Sequence, residues 1–177
     1  MNKKEKTISS ELIYKGRILD LYKDEVICPN GVKSIREVIR KSKAACIIAE
    51  LDGKIMLEKQ YRYPYDEVLI EIPAGKSDED EDTSVTAVRE LEEETGYKAN
   101  KIVKLGTVYP TVAYTDELID VYYATDLKKT KTHLDIDEEL ELFFVTKEEF
   151  ENLIKEDKIR DAKSVVAYYL YKLKTDK

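Results

Sequence analysis

Residues 44–49 read Ala-Ala-Cys-Ile-Ile-Ala, an apolar run without a charge that predicts a strand buried on both faces. Residues 54–59 form a second strand, joined to the first by Asp52-Gly53, a hairpin turn signal. Upstream, residues 14–17 and 19–28 read as extended, Pro29-Asn30-Gly31 as a turn, and residues 35–40 as a returning strand. A short strand over 68–72 ends at Pro73-Ala74-Gly75, which should not continue a sheet interior. Over 82–95 the apolar period changes to 3.6. Asp82 or Thr83 can cap this helix, Gly96 can end it, and Val85, Ala87, Val88 and Leu91 should face a core. Strands over 102–108, 118–124 and 141–145 follow. Thr146 to Glu149 then forms a capping box, opening a helix that turns Phe150, Leu153 and Ile154 inward. A last helix over 161–173 offers Val165, Val166, Tyr169 and Leu173 as its apolar face. Strands with interleaved helices, and no internal repeat, predict an α/β chain with a mixed sheet flanked by helices.

Composition narrows the function more than the fold. The 177 residues suit one domain with a small extra lobe. Thirty Lys+Arg stand against 37 Asp+Glu, for a net charge of −7, which argues against nucleic acid and anionic membranes as partners. A phosphate-bearing ligand would need local arginines or metal ions. Cys28 and Cys46 are too few for a disulfide framework or a zinc site and read as reduced thiols of a cytoplasmic protein. The start of the chain has no signal-peptide apolar segment, and no apolar run approaches the ~20 residues that span a bilayer. His133, the one histidine, lies in a polar stretch and reads as an exposed loop residue.

The chemistry concentrates between Gly75 and Tyr97. On a helix, Glu90, Glu93 and Glu94 share one stripe. Like charges at these spacings repel, and near the helix C-terminus the dipole disfavours them further. Such a stripe is either a solvated face or a site for a hard divalent cation, which prefers carboxylate oxygens. The preceding Ile72-Pro73-Ala74-Gly75 can present the Ala74 carbonyl to the same ion. Gly75-Lys76-Ser77 resembles the end of a P-loop, but Ile70 stands where its first glycine is required.

The same residues match the Nudix box, Gly-x5-Glu-x7-Arg-Glu-(apolar)-x-Glu-Glu-x-Gly-(apolar), at every defined position from Gly75 to Tyr97. A chance match in a chain of this length is on the order of one in a million at ordinary residue frequencies. The chain thus resembles the Nudix hydrolases. The resemblance implies a Nudix-type α/β/α sandwich with an N-terminal antiparallel β lobe, and hydrolysis of a nucleoside diphosphate derivative with Mg²⁺ or Mn²⁺. It also implies Glu90, Glu94, Glu93 and the Ala74 carbonyl as metal ligands, Arg89 as the group orienting them, and Glu81 as a brace of the loop.

The flanks, Glu58-Lys59-Gln60-Tyr61-Arg62-Tyr63-Pro64 and Glu71-Ile72-Pro73-Ala74-Gly75, are similar to the ADP-ribose pyrophosphatase branch, as are Tyr14-Lys15-Gly16-Arg17 and Arg36-Glu37. That likeness implies cleavage of ADP-ribose to AMP and ribose 5-phosphate. It also implies a β lobe over 1–43 that pairs two chains in a homodimer and helps form the substrate pocket, with the hydrolase domain over 44–177. Arg62 and Arg36 are candidates to hold diphosphate or ribose, or to form surface ion pairs with Glu71 or Glu37. Tyr14 or Tyr22 could stack on the base. Two features depart from the branch: Val112 and Ala113 stand where its marker proline is expected, and Lys41 to Ala44 replace a histidine and glycine. Another NDP-sugar, a dinucleotide, or ligand sensing without turnover are the alternatives. The branch places its general base on a late acidic loop, here 134–139. Glu138 aligns best, with Glu139 and Asp137 behind it, since a second family glutamate falls on Ile136.

Overall fold

The computed structural model describes residues 3–41, 43–134, 136 and 138–175. The chain divides into two compact units, Met1–Ser42 with Tyr109–Glu117, and Lys43–Val108 with Leu118–Lys177. The smaller unit is an antiparallel sheet of order β1-β2-β3, from β1 (Lys6–Lys15), β2 (Asp20–Ile27) and β3 (Lys33–Arg40). Gly31, at φ +84°, closes the β2–β3 turn that Pro29-Asn30-Gly31 predicts. The first strand begins well before the expected residue 14. All ten residues of β1 are exposed, so it carries no buried–exposed alternation to be read. Asp24 is buried between Ser10 Oγ at 2.6 Å and Arg40 Nη2 at 2.6 Å, and the Arg40 guanidinium also lies 4.1 Å from the centre of the Tyr22 ring. The 109–117 segment is tied to β3 by the Ile39 amide on the Tyr114 carbonyl.

The larger unit is built on β4 (Ala44–Leu51), β5 (Lys54–Arg62), β6 (Glu67–Glu71), β7 (Ala74–Lys76), β8 (Tyr97–Val108), β9 (Ile119–Lys129) and β10 (Leu140–Val145). Their order is β10-β5-β4-β9-β8, with β6 on β5 and β7 on β4; β4 and β9 run parallel and the other pairs antiparallel. The run 44–49 is buried on both faces, as its composition predicts. Ala45, Ile47 and Ala49 pack with Ala87 and Leu91 of α1 (Thr83–Thr95), while Cys46 and Ile48 share a core with Phe150 of α2 (Lys147–Lys155) and Tyr168 and Tyr171 of α3 (Ala162–Thr175). This is the α/β/α sandwich expected. No helix among the described residues is long and apolar enough to cross a membrane.

Three local expectations are corrected. The sheet does not end at Pro73. The chain leaves β5 there and resumes as β7 on β4, with Ala74 opposite Cys46, so the proline marks a change of partner strand. On α1, Val85 is 55% exposed, and the buried side is Thr83, Thr86, Ala87, Leu91, Glu94 and Thr95. On α3, Tyr169 and Leu173 are exposed and Ser164, Ala167, Tyr168 and Tyr171 are buried. In both helices polar groups are buried because each finds a partner. The Tyr171 hydroxyl donates to Glu50 at 2.6 Å and Thr83 Oγ1 to Asp120 at 2.7 Å. The caps are as expected: Asp82 accepts from the Ser84 amide, Gly96 takes the left-handed conformation, and Thr146 and Glu149 complete the capping box.

Candidate active site

The end of β6, the short β7 and the second half of α1 bring the sequence-predicted acidic residues together. The Ala74 amide donates to Glu94 Oε2 at 3.0 Å, docking the helix against the strand. Gly75 faces Glu90 so closely that a Cβ there would stand 1.9 Å from the Glu90 carboxyl carbon. Any larger residue at the box glycine would push the Glu90 carboxylate from this position.

Arg89 gathers the rest. Its Nη1 donates to Glu90 at 2.8 Å and Glu93 at 2.9 Å, its Nη2 to Glu81 at 3.0 Å and to the Lys76 carbonyl at 2.9 Å, and its Nε to Glu81 at 3.2 Å. Glu81 also accepts from Thr86 Oγ1 and the Asp78 amide, so it braces the loop onto the helix. The Arg89 guanidinium, helped by these donors, holds the Glu81 carboxyl down at about 2. Glu90 goes the other way, raised by burial against the opposing pull of Arg89. Glu94, 8% exposed, is raised well above the ordinary range by burial, with the Glu58 and Glu90 charges adding to it. Glu138 is exposed, and its charge adds to those that raise Glu58, Glu90 and Glu94. Glu139 is exposed next to it; Asp137 lies outside the described residues.

Sequence reading gave no role to a buried network on the strand side. Glu58 on β5 stands opposite Glu71 on β6. Glu71 accepts two bonds from Arg62, from Nε and Nη2 at 2.7 Å each, and one from Lys163, which also donates to Asp161. Burial would raise Glu71, but Arg62 and Lys163 hold it at about 2. Burial raises Glu58 to about 8, with Lys163 opposing. The available signal was position: Glu58 continues the buried apolar run Ile55-Met56-Leu57.

Arg62 is thus engaged with Glu71, the ion pair expected as the alternative to substrate binding. Arg36, in the smaller unit, is bound to Glu5 at 3.0 Å through Nε, and Tyr14 there is 58% exposed. His133 is an exposed loop residue whose amide donates to the Glu93 carbonyl.

The Glu71 ion pairs predict a pH effect on stability. A carboxylate whose folded pKa is depressed contributes stability above its unfolded value of 4.5, and this is lost as pH falls toward 2. The depression corresponds to about 3 kcal/mol. Glu71→Gln should therefore be less stable at pH 7 by about 3 kcal/mol, with Arg62 and Lys163 left without their carboxylate, and should lose less stability than the wild type between pH 4.5 and 2. Urea unfolding across that range checks both; parallel wild-type and variant curves would remove Glu71 as the titrating group.

The residues fit a hard divalent cation. Their donors are carboxylate and carbonyl oxygens, burial disfavours their charges, and Glu58 Oε2 is buried with no hydrogen-bond partner among the described residues. Among the described residues, no three such side chains are yet gathered closely enough to enclose an ion. Arg89 occupies Glu90 and Glu93, and an arriving cation would compete with it.

Known proteins resemble the chain along most of its length. A family model for the NUDIX domain matches residues 40–168, and one for the nucleoside diphosphate sugar hydrolase N-terminal domain matches residues 5–39. The chain is 40% identical to an ADP-ribose pyrophosphatase of Bacillus subtilis, over 96% of this chain and 94% of that one. It is 42% identical to a methanol dehydrogenase activator of Bacillus methanolicus, over 92% and 90%. Its fold is similar to the crystal structure of an ADP compounds hydrolase, with a TM-score of 0.88 at 22% identity over 96% of this chain and 93% of that one.

Proposed function

The chain belongs to the Nudix hydrolases, and from that membership we propose that it cleaves the diphosphate of ADP-ribose, giving AMP and ribose 5-phosphate, with Mg²⁺ as its metal and Mn²⁺ as a substitute. The observation that carries this reading is the intact acidic face of α1, Glu90, Glu93 and Glu94, docked on Ala74 and Gly75 with Arg89 across it. A ligand sensor would have no need to keep three carboxylates in so costly an arrangement. The named activity of the Bacillus subtilis relative, which aligns along nearly its whole length, supports ADP-ribose over another NDP-sugar or a dinucleotide.

Glu90, Glu93, Glu94 and the Ala74 carbonyl would hold the metal, which when bound supplies positive charge against the diphosphate and makes a water more acidic. The Ala74 amide fixes Glu94, and Arg89 keeps Glu90 and Glu93 on one side of the helix. Glu138, or Glu139 next to it, takes the proton of the attacking water. The new bond forms between that oxygen and one phosphorus, and the bridging P–O bond breaks toward the departing phosphate monoester. Arg62, fixed by Glu71 through Nε and Nη2, offers its remaining Nη1 to a phosphate oxygen. The family resemblance supports Arg36 and Tyr14 as further substrate contacts. Two free cysteines, one buried, suit a reducing compartment such as the cytoplasm.

A panel of ADP-ribose, other NDP-sugars and dinucleotides with Mg²⁺, read by the nucleotide released, tests the reading. ADP-ribose should be turned over fastest. Folded protein with metal that cleaves none of them would overturn the enzyme reading.

The same reading includes a homodimer. β1 is an edge strand with Ile8, Leu12, Ile13 and Tyr14 all exposed, the kind of edge that pairs with a second copy. Sedimentation at micromolar concentration should give a dimer, and a monomer there would count against it.

A further inference from the structure

Glu58 has a position that the box does not explain. Along β5 the side chains alternate between the two cores. Ile55 and Leu57 pack on the α2 and α3 side, while Met56 packs with Ala87 and Leu91 of α1. Glu58, two residues beyond Met56, therefore points to the α1 side, where Glu94 follows Leu91 by nearly one turn. It is 2% exposed, and among the described residues its Oε2 has no hydrogen-bond partner. The ammonium that could have paired with it, Lys163, donates to Glu71 and Asp161. A buried carboxylate oxygen without a donor is costly, and such a group persists where something else satisfies it. On that side its charge is among those that raise Glu94. Both carboxyls are buried and resist ionisation, and a cation beside them would favour their charged forms.

We propose that Glu58 is a further carboxylate of the cation site, turning its unpartnered Oε2 toward the divalent ion held by Glu90 and Glu94. This rests on the metal-dependent reading above. It adds a ligand from β5 to a set otherwise drawn from α1 and β7. Glu71, Arg62, Lys163 and Asp161 then act as its frame: the two carboxylates offset the two cations and leave Glu58 to the ion.

The test is Mn²⁺ binding to the metal-free protein, measured as the loss of the free Mn²⁺ electron paramagnetic resonance signal, for wild type, Glu58→Gln, Glu58→Asp and the remote charge control Glu151→Gln. Glu58→Gln should weaken Mn²⁺ binding ~10–100-fold, Glu58→Asp by less, and Glu151→Gln should not change it. Glu58→Gln should also shrink the rise in melting temperature that Mn²⁺ gives the wild type. Wild-type affinity in a folded Glu58→Gln, with or without a lower melting temperature, would make Glu58 a structural group only and overturn the proposal. If Glu58→Gln does not fold, Glu58→Asp decides: its shorter side chain should weaken binding, and unchanged affinity overturns the proposal. A wild type that binds no Mn²⁺ would instead overturn the metal-dependent reading on which this one stands.

Discussion

Glu94→Gln should lower turnover by ~10³-fold or more and at the same time raise the melting temperature of the metal-free protein. The two effects have one cause. Glu94 is 8% exposed, its charge stands against those of Glu58 and Glu90, and its burial already disfavours ionisation. Glutamine keeps the shape and keeps an oxygen for the Ala74 amide, so the docking of α1 on β7 survives. What disappears is a carboxyl that, without a cation, must either bury its charge or take up a proton on folding. For a chain of 177 residues, relief of about 1 kcal/mol raises the melting temperature by ~2–4 °C. Calorimetry without metal and steady-state kinetics with it check both halves. A variant that turns over at near wild-type rate would remove Glu94 from the metal set. One that loses activity through a lower melting temperature would make it a structural residue.

Glu138→Gln should lower turnover ~10²–10⁴-fold and leave KM nearly unchanged, because a general base acts mainly in the transition state. Its surroundings support that role. Glu138 is exposed to solvent, and its charge is among those that raise Glu58, Glu90 and Glu94. If Glu138 holds metal instead, raised Mg²⁺ should restore part of the lost rate. If Glu139 is the base, Glu139→Gln takes the larger loss and Glu138→Gln little. Full activity in both single variants would move the base off this loop.

The parts of the fold that could be read from the sequence are those where one local rule acts alone. Asp82 and Gly96 bound α1, Thr146 and Glu149 cap α2, and Asp52-Gly53 closes a hairpin because each is decided within a few residues. The candidate site was legible for the same reason, since its acids lie on consecutive turns of one helix. The misread helix faces depend on distant partners. Thr83 and Thr86 are buried because Asp120, Ser77 and Glu81 wait for their hydroxyls, and Tyr168 because Lys147 and Glu151 accept from its phenol. Apolar periodicity cannot register such partners. β1 escaped because an edge strand with every residue exposed has no period at all. Glu58 and its network were hidden because a glutamate within an apolar strand gains its meaning only when Glu94 and Glu71 are brought beside it from other elements.

The bond from the Ala74 amide to Glu94 has a use of its own. Most backbone amides in a sheet donate to carbonyls, whose acceptor strength is nearly constant. This one donates to an ionisable side chain at the centre of the acidic cluster, so the shift of its proton resonance follows the electron density on that carboxylate. One crosspeak, assigned once, would then report the occupancy of the site in solution, without substrate, label or turnover.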